Sequence, residues 1–318
     1  MHDRGQILEW EGRRLVPAGL ATLVGVALVI ASAFAIGGVS GDGDAALLRS
    51  AHEHSSSVTL AAILQAAGFL LLVAPLVVLF KAAAARSPKM RRQLIGVVIA
   101  APLFLSVAAV LNAVATNDAA TQFAAGNAKP GITAKAAGED CQSELKDMGA
   151  KEFGEEFGGG SQAAALKQCS ATKVADDEAS NAVSEASTHG AAVGFGFGGR
   201  LGLAVALFYS CLYAMRTGLL TRFWGSLGMA LGVAALLLLV QFTMIWFLYF
   251  GLLLLGRLPG GRPPAWAAGE AIPWPTPGEK AAESLEATEP PEEPEPPALS
   301  NGNGDSPGDG RRKRKQRD

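Results

Sequence analysis

The stretch LIGVVIAAPLFLSVAAVLNAVAT, residues 94–116, contains no charged side chain. It lies within 25 consecutive residues, between Arg92 and Asp118, that include no Asp, Glu, Lys or Arg. A helix needs about 20 mostly apolar residues to cross a hydrocarbon core about 30 Å thick. Because the stretch has no polar stripe at helical spacing, it predicts a membrane-spanning helix rather than a soluble amphipathic one.

Two earlier uncharged runs have the same character, with 27 residues between Arg14 and Asp42 and 26 between His54 and Lys81. Of the 318 residues, 49% are hydrophobic and 18% are charged, whereas a soluble domain carries about 25% charged residues. The chain therefore has too little charge to cover the surface of a soluble bundle that buries such helices. We predict membrane spans at 16–38, 58–80, 94–116 and 192–215.

A longer block, residues 223–256, contains 34 uncharged residues. One straight helix of that size would be about 51 Å long, which is too long even for a tilted crossing. Two spans at 223–239 and 242–256 would each be short, and the break between them has no Gly or Pro. We favour six spans, and five stays open. The predicted fold is all-α: a polytopic transmembrane helix bundle with an outward helical cap and a disordered tail.

Lys and Arg are concentrated in every second connection between the predicted spans, and this alternation predicts the orientation of the chain in the membrane. The short connection 41–56 contains only Arg49. We therefore expect 1–15 to be cytoplasmic and 117–190 to lie outside, and six spans place the tail, 257–318, in the cytoplasm. The basic residues on the cytoplasmic side are Arg4, Arg13, Arg14, Lys81, Arg86, Lys89, Arg91, Arg92, Arg216, Arg222, Arg257 and Arg262. A cleaved signal peptide, ending near Ala33-Phe34-Ala35, is the alternative for the first span.

The outward segment, 117–190, holds 12 acidic and 6 basic residues and few large apolar ones. Helices are expected at 162–168 and 174–187, with Asp176-Asp177-Glu178 at a helix N-terminus. Cys141 and Cys169 lie on the side where disulfides persist. Pairing would close a loop of about 29 residues and constrain the unfolded chain by roughly 3 kcal/mol. Two free thiols are the alternative.

Polar side chains within predicted spans are the candidate functional residues: Gln65, Asn112, Arg200 and Gln241. A guanidinium at bilayer depth costs about 2.5–3.5 kcal/mol. Arg200 either extends outward to the interface or provides a buried counter-charge in a polar pocket formed with the three amides, near Asp118. Pro75 and Pro102 are expected to kink their spans.

The glycines of the later spans favour helix packing. Gly194-Phe-Gly-Phe-Gly-Gly199 matches a dinucleotide-binding pattern, but it opens a membrane span, and no carboxylate occurs from Arg200 to Gly256. A nucleotide site needs a preceding strand and a following acidic residue. Glycines four residues apart instead allow close approach of two membrane helices. The predicted packing glycines are Gly194, Gly198, Gly202, Gly228 and Gly232.

Three short runs of sequence resemble those of a known group of proteins. Thr221-Arg-Phe-Trp-Gly-Ser-Leu-Gly-Met229, Pro263-Pro-Ala-Trp266 and Ile272-Pro-Trp274-Pro resemble a group of uncharacterised polytopic membrane proteins of high-GC Gram-positive bacteria. The resemblance implies about six spans and a bacterial plasma membrane, and it transfers no functional residue. Trp266 and Trp274 are expected to anchor their segment in the lipid headgroups.

No catalytic set emerges from the sequence. His52-Glu53-His54 lacks a further ligand at a recognised spacing, and the spans provide no base in register with a nucleophile. We therefore predict a protein that is not an enzyme and has no metal, cofactor or nucleic-acid partner. Besides lipid, a protein partner through the cap or the Pro/Glu-rich tail is expected. The predicted function is a scaffold, sensor or complex subunit, with a small-solute permease as the alternative.

Overall fold

A computed structural model describes residues 4–147, 161–237 and 240–274. The described residues are helical or in connections, and no strand occurs among them, which confirms the all-α class. A 3-10 turn, Arg92–Leu94, precedes α5. The helices are α1 (Arg4–Ala35), α2 (Asp44–Glu53), α3 (Ser55–Leu71), α4 (Val73–Arg86), α5 (Ile95–Ala124), α6 (Ala134–Asp147), α7 (Gln162–Glu185), α8 (His189–Arg216), α9 (Arg222–Leu236), α10 (Val240–Leu255) and α11 (Pro264–Ala268).

Four helical segments are long and apolar enough to cross a membrane: Arg4–Ala35, Ser55–Arg86, Arg92–Ala124 and His189–Arg216. Large apolar side chains are exposed along these segments, including Val24, Ile63, Val114 and Leu201. A water-soluble monomer rarely presents so much contiguous apolar surface. These features agree with the prediction of a bundle surrounded by lipid.

The long uncharged block folds as a helical hairpin. Trp224 of α9 stacks on Tyr249 of α10, with ring centroids 3.5 Å apart, and Gly228 lies against Trp246. Residue numbers therefore rise on one helix as they fall on the other, so the two helices are antiparallel. A single straight helix through 223–256 is thereby ruled out. The helices are 15 and 16 residues long, or about 22 and 24 Å.

One end of the bundle, called the Arg86 end below, is closed by the segment after α10. The Trp266 indole donates to the Leu219 carbonyl at 2.9 Å, and the Trp274 indole donates to the Leu220 carbonyl at 2.9 Å. Trp266 is buried in protein, so its predicted place among lipid headgroups is wrong. Residues 257–274 pack on the bundle, which corrects the predicted start of the disordered tail, and 275–318 lie outside the described residues.

At the opposite end of the bundle, α2, α6 and α7 pack together with the end of α5, and we call this group of helices the cap. Its small core joins alanines of α2, α5 and α7 around Leu48 and Phe123. The connection 41–56, predicted only as a link, thus contributes α2 to the cap. A helix beginning near residue 174 was also expected, but α7 is continuous from Gln162 to Glu185. Asp176 and Asp177 therefore lie inside a helix, where their carboxylates bind other segments.

Candidate functional site

All four predicted intramembrane polar residues line one cavity. Gln65 of α3, Asn112 of α5, Arg200 of α8 and Gln241 of α10 surround a volume of about 360 Å³, together with apolar residues that include Val29 of α1. We call this volume the polar cavity. Sequence alone identifies the four residues, because each is a polar exception in an apolar run. Their convergence depends on the rotation of four separate helices.

The polar cavity lies in the part of the bundle nearer the cap. Arg200 is 11 residues after His189, the first residue of α8, which corresponds to about 16 Å along the helix axis. Asn112 precedes the cap-forming end of α5, and Gln241 is the second residue of α10. The cavity is therefore distant from the Arg86 end.

The four side chains have unused hydrogen-bonding capacity. Within the described ranges, none of them forms a hydrogen bond, and the Arg200 guanidinium forms no ion pair. Two hydroxyls of the apolar helices are paired instead: the Ser106 hydroxyl donates to the Ala66 carbonyl at 2.7 Å, and the Thr22 hydroxyl donates to the Ala18 carbonyl at 2.6 Å. Asn112 and Gln241 are exposed, and Gln65 and Arg200 are half-buried, so their donors and acceptors are open to water or to a polar solute in the cavity.

The polar cavity is cationic. Arg200 is the one charged residue among its described lining residues, which include no carboxylate, imidazole, thiol or hydroxyl. Asp118, the expected nearby carboxylate, does not line it. A guanidinium offers a fixed fork of donors that suits a carboxylate or phosphate, and the amides offer both donors and acceptors. This arrangement can bind an anion, but its own side chains supply no general base.

Arg200 is half-buried and lines the same cavity as the three amides. Of its two predicted roles, this placement agrees with the polar pocket better than with an outward extension to the interface. The two prolines lie elsewhere. Pro75 follows an interruption at Leu72 between α3 and α4, whereas Pro102 lies within the continuous α5.

Four of the five predicted packing glycines lie close to a neighbouring helix. A Cβ at Gly202 would lie 2.9 Å from the Ala101 Cβ of α5, and one at Gly232 would lie 3.1 Å from the Leu207 Cβ of α8. Gly198 contacts Phe104, and Gly228 lies against Cys211 and Trp246.

A Cβ added at Gly194 would meet no described atom within 4 Å, so the packing role of this residue stays a prediction. Near it, the Phe104 and Phe195 rings, with centroids 5.3 Å apart, lie between α5 and α8. A further close contact, which the glycine pattern does not predict, occurs at Gly199, where a Cβ would lie 2.9 Å from the Leu105 amide nitrogen.

The cap is held by a disulfide and by carboxylates. Cys141 of α6 and Cys169 of α7 form the predicted disulfide, with a Cα–Cα distance of 6.0 Å. The Asp176 carboxylate accepts a hydrogen bond from the Ala45 amide of α2 at 2.9 Å. The Asp177 carboxylate accepts from the amides of Gly131 and Ile132. These contacts fix the cap beside the end of α5.

No motif in the sequence predicts the ion pair at the Arg86 end. Glu11 of α1 and Arg86 of α4 form a buried pair. Arg86 also donates to the Ala265 carbonyl of α11, at 2.9 Å from Nη2. In the sequence, both residues look like ordinary charges beside a membrane span. They are 75 residues apart, and no motif beside either one predicts that they form a pair.

No protein-family model, curated protein or solved structure matches the chain.

Proposed function

We propose that this chain is a multi-pass protein of a bacterial plasma membrane that binds a small anionic solute from the outer side, as a sensor or complex subunit rather than an enzyme. One observation carries the proposal: Arg200, Gln65, Asn112 and Gln241 meet in one cavity without partners among the described residues. The anion would pair with the guanidinium, and the amides would orient it.

Binding is favoured over passage because of the packing toward the Arg86 end. The core there contains fully buried apolar side chains: Leu76, Leu79, Leu207, Phe247, Phe250 and Leu254. The buried hydroxyls of the bundle, on Thr22, Ser106, Ser210 and Thr243, do not line the polar cavity. A bound anion would therefore report the outer concentration of a solute without crossing the bundle.

A small-solute permease is the second candidate, and one observation favours it. The interruption at Leu72 separates α3, which carries Gln65, from α4. Pro75 lacks the amide hydrogen needed to bridge this break. Phe69, one turn before the break, lines the polar cavity. A hinge at Leu72 would let α3 move relative to the closed core, as alternating access requires.

Six spans with both termini in the cytoplasm are part of the proposal. The contacts of Trp266 and Trp274 return the chain after α10 to the end where α8 finishes. An even number of crossings accounts for this return, although α9 and α10 are each shorter than a typical span. A reporter fused after residue 318 tests it: activity of a cytoplasmic reporter supports six spans, and activity of an extracytoplasmic reporter supports five.

Calorimetry on the purified protein in lipid nanodiscs tests anion binding, with acetate, succinate, phosphate and sulfate as probes. We expect saturable binding of at least one dianion, weakened by about 10-fold or more in Arg200→Gln, because a hydrogen bond to a charged group contributes about 1.5–3 kcal/mol. Arg200→Lys should retain part of the affinity. The control is Arg216→Gln, which removes an exposed cation from the other end of α8. Absence of binding by all four probes, or equal weakening in both Gln variants, would contradict the proposal.

A further inference from the structure

A second cavity, of about 460 Å³, opens at the Arg86 end between α1, α4 and the turn that precedes α5. Its walls are largely apolar and include Ile7 and Trp10 of α1, Phe80 of α4 and Ile95 of α5. The lining also includes two cationic residues, Lys81 and Arg92. We call this volume the basic groove. It is separate from the polar cavity, since the two share no lining residue.

Within the described residues, no side chain balances the charges of the two cations in the basic groove. Lys81 and Arg92 are exposed, and within the described residues neither side chain forms an ion pair or a hydrogen bond. The Lys81 Nζ lies 5.7 Å from the centre of the Trp10 ring, which places this cation over the apolar wall. The carboxylate that lines the groove, Glu11, is already paired with Arg86. Counted over the described residues, the groove therefore has an uncompensated positive charge of about two.

An apolar wall below two free cations is complementary to an amphiphile with an anionic head. Basic pockets between membrane helices on the cytoplasmic side hold acidic headgroups. Arg92 offers a planar fork of donors and Lys81 a compact point charge, and both suit a phosphate. A free phosphate would use the cations but leave the wall of Trp10 and Phe80 uncovered, whereas a phospholipid would use both.

We propose that the basic groove binds one anionic phospholipid, with its phosphate at Lys81 and Arg92 and an acyl chain along Trp10, Phe80 and Ile95. The proposal requires that the chain spans a membrane, but it does not depend on anion binding at Arg200. A lipid there would contact α1, α4 and α5 together and so stabilise the Arg86 end.

Native mass spectrometry of the full chain tests the proposal, with phosphatidylglycerol and phosphatidylcholine of the same acyl chains as probes. We expect a single phosphatidylglycerol to be retained in preference to phosphatidylcholine. The double variant Lys81→Gln/Arg92→Gln should lower that preference by about 10- to 30-fold, because each basic residue near an anionic surface contributes about 1 kcal/mol. The matched control, Lys89→Gln/Arg91→Gln, removes two exposed cations of the same connection that do not line the groove.

Three results would overturn the proposal. The first is an equal loss in both double variants, which indicates general attraction to the bilayer. The second is displacement of phosphatidylglycerol by excess inorganic phosphate, which indicates an ion site. The third concerns tryptophan fluorescence, measured with phosphatidylglycerol that is brominated on its acyl chains. We expect the brominated lipid to quench the fluorescence of the parent protein and to quench that of Trp10→Phe less. Equal quenching in the two proteins would contradict the assigned groove.

Discussion

Glu11 and Arg86 form an ion pair that is almost completely removed from solvent, with side-chain exposures of 2% and 0%. The second contact of the pair joins Arg86 Nη2 to Glu11 Oε2 at 3.0 Å. The same guanidinium donates to the carbonyls of Ala265 and Ala82. One side chain thus connects the first helix, the end of α4 and the short helix α11, which come from widely separated parts of the chain.

Removal of one member of this pair should destabilise the protein strongly. In Glu11→Ala the Arg86 guanidinium would stay buried without its counter-charge, and breaking a buried pair in this way costs about 3–5 kcal/mol. Reversible unfolding of the protein in mixed detergent micelles measures the loss. The control is Arg13→Ala, since the Arg13–Glu9 pair is exposed and such pairs contribute about 0–1 kcal/mol. Similar losses in the two variants would contradict a structural role for the buried pair.

The disulfide of the cap predicts a specific labelling pattern. The chain has three cysteines, and Cys141 is bonded to Cys169 while Cys211 is free and buried. Protein isolated from membranes and unfolded without reductant should therefore take up one alkyl group, and with reductant it should take up three. Mass spectrometry counts the groups, and Cys211→Ala serves as the control that lowers each number by one. Three groups without reductant would show that the cap thiols are free in the cell.

Two glycines of α8 should respond in opposite ways to the same substitution. Gly199→Ala would place a Cβ within 2.9 Å of the Leu105 amide nitrogen, so α5 and α8 must separate, at a cost of about 1–3 kcal/mol. Gly194→Ala meets no described atom within 4 Å and should be neutral or slightly stabilising, because Ala favours helix. Thermal unfolding in detergent compares the two. Equal behaviour of both variants would contradict the described α5–α8 contact.

Asp176 should hold α2 in the cap. Asp176→Ala frees the Ala45 amide at the start of α2, and loss of a cap of this kind costs about 0.5–2 kcal/mol. Hydrogen exchange in 44–53 should become faster, while exchange in α5 should not change. Glu185→Gln is the matched control, since Glu185 is an exposed residue at the end of the same helix. Unchanged exchange in α2 would show that it is fixed by other contacts.

The sequence predicts the helical class and four membrane segments well, because long uncharged runs have few structural alternatives. Boundaries that depend on tertiary contacts are less predictable. The break between α9 and α10 has no Gly or Pro, and the antiparallel arrangement becomes evident only from contacts such as Trp224 with Tyr249. Likewise, 257–274 reads as a Pro-rich tail until Trp266 is seen to bind the Leu219 carbonyl.

The candidate site, too, can be predicted from the sequence only in part. Arg200 and Gln65 stand out by composition alone, since polar side chains are rare in membrane helices. That they line one cavity depends on helix rotation, which the residue pattern does not specify. Glu11 and Arg86 have the opposite character: they look like ordinary charges at span ends, and only the fold of α11 over them removes both from water.

Labelling of a cysteine in the polar cavity tests the central claim most directly. In a Cys211→Ala background, Asn112→Cys places a thiol in the lining while the other two cysteines stay in their disulfide. We predict that intact cells react at this position with a membrane-impermeant maleimide, and that the dianion which binds best slows the reaction unless Arg200 is changed to Gln. A thiol that the reagent cannot reach from outside, or a rate that no anion alters, would contradict an outward-facing anion site.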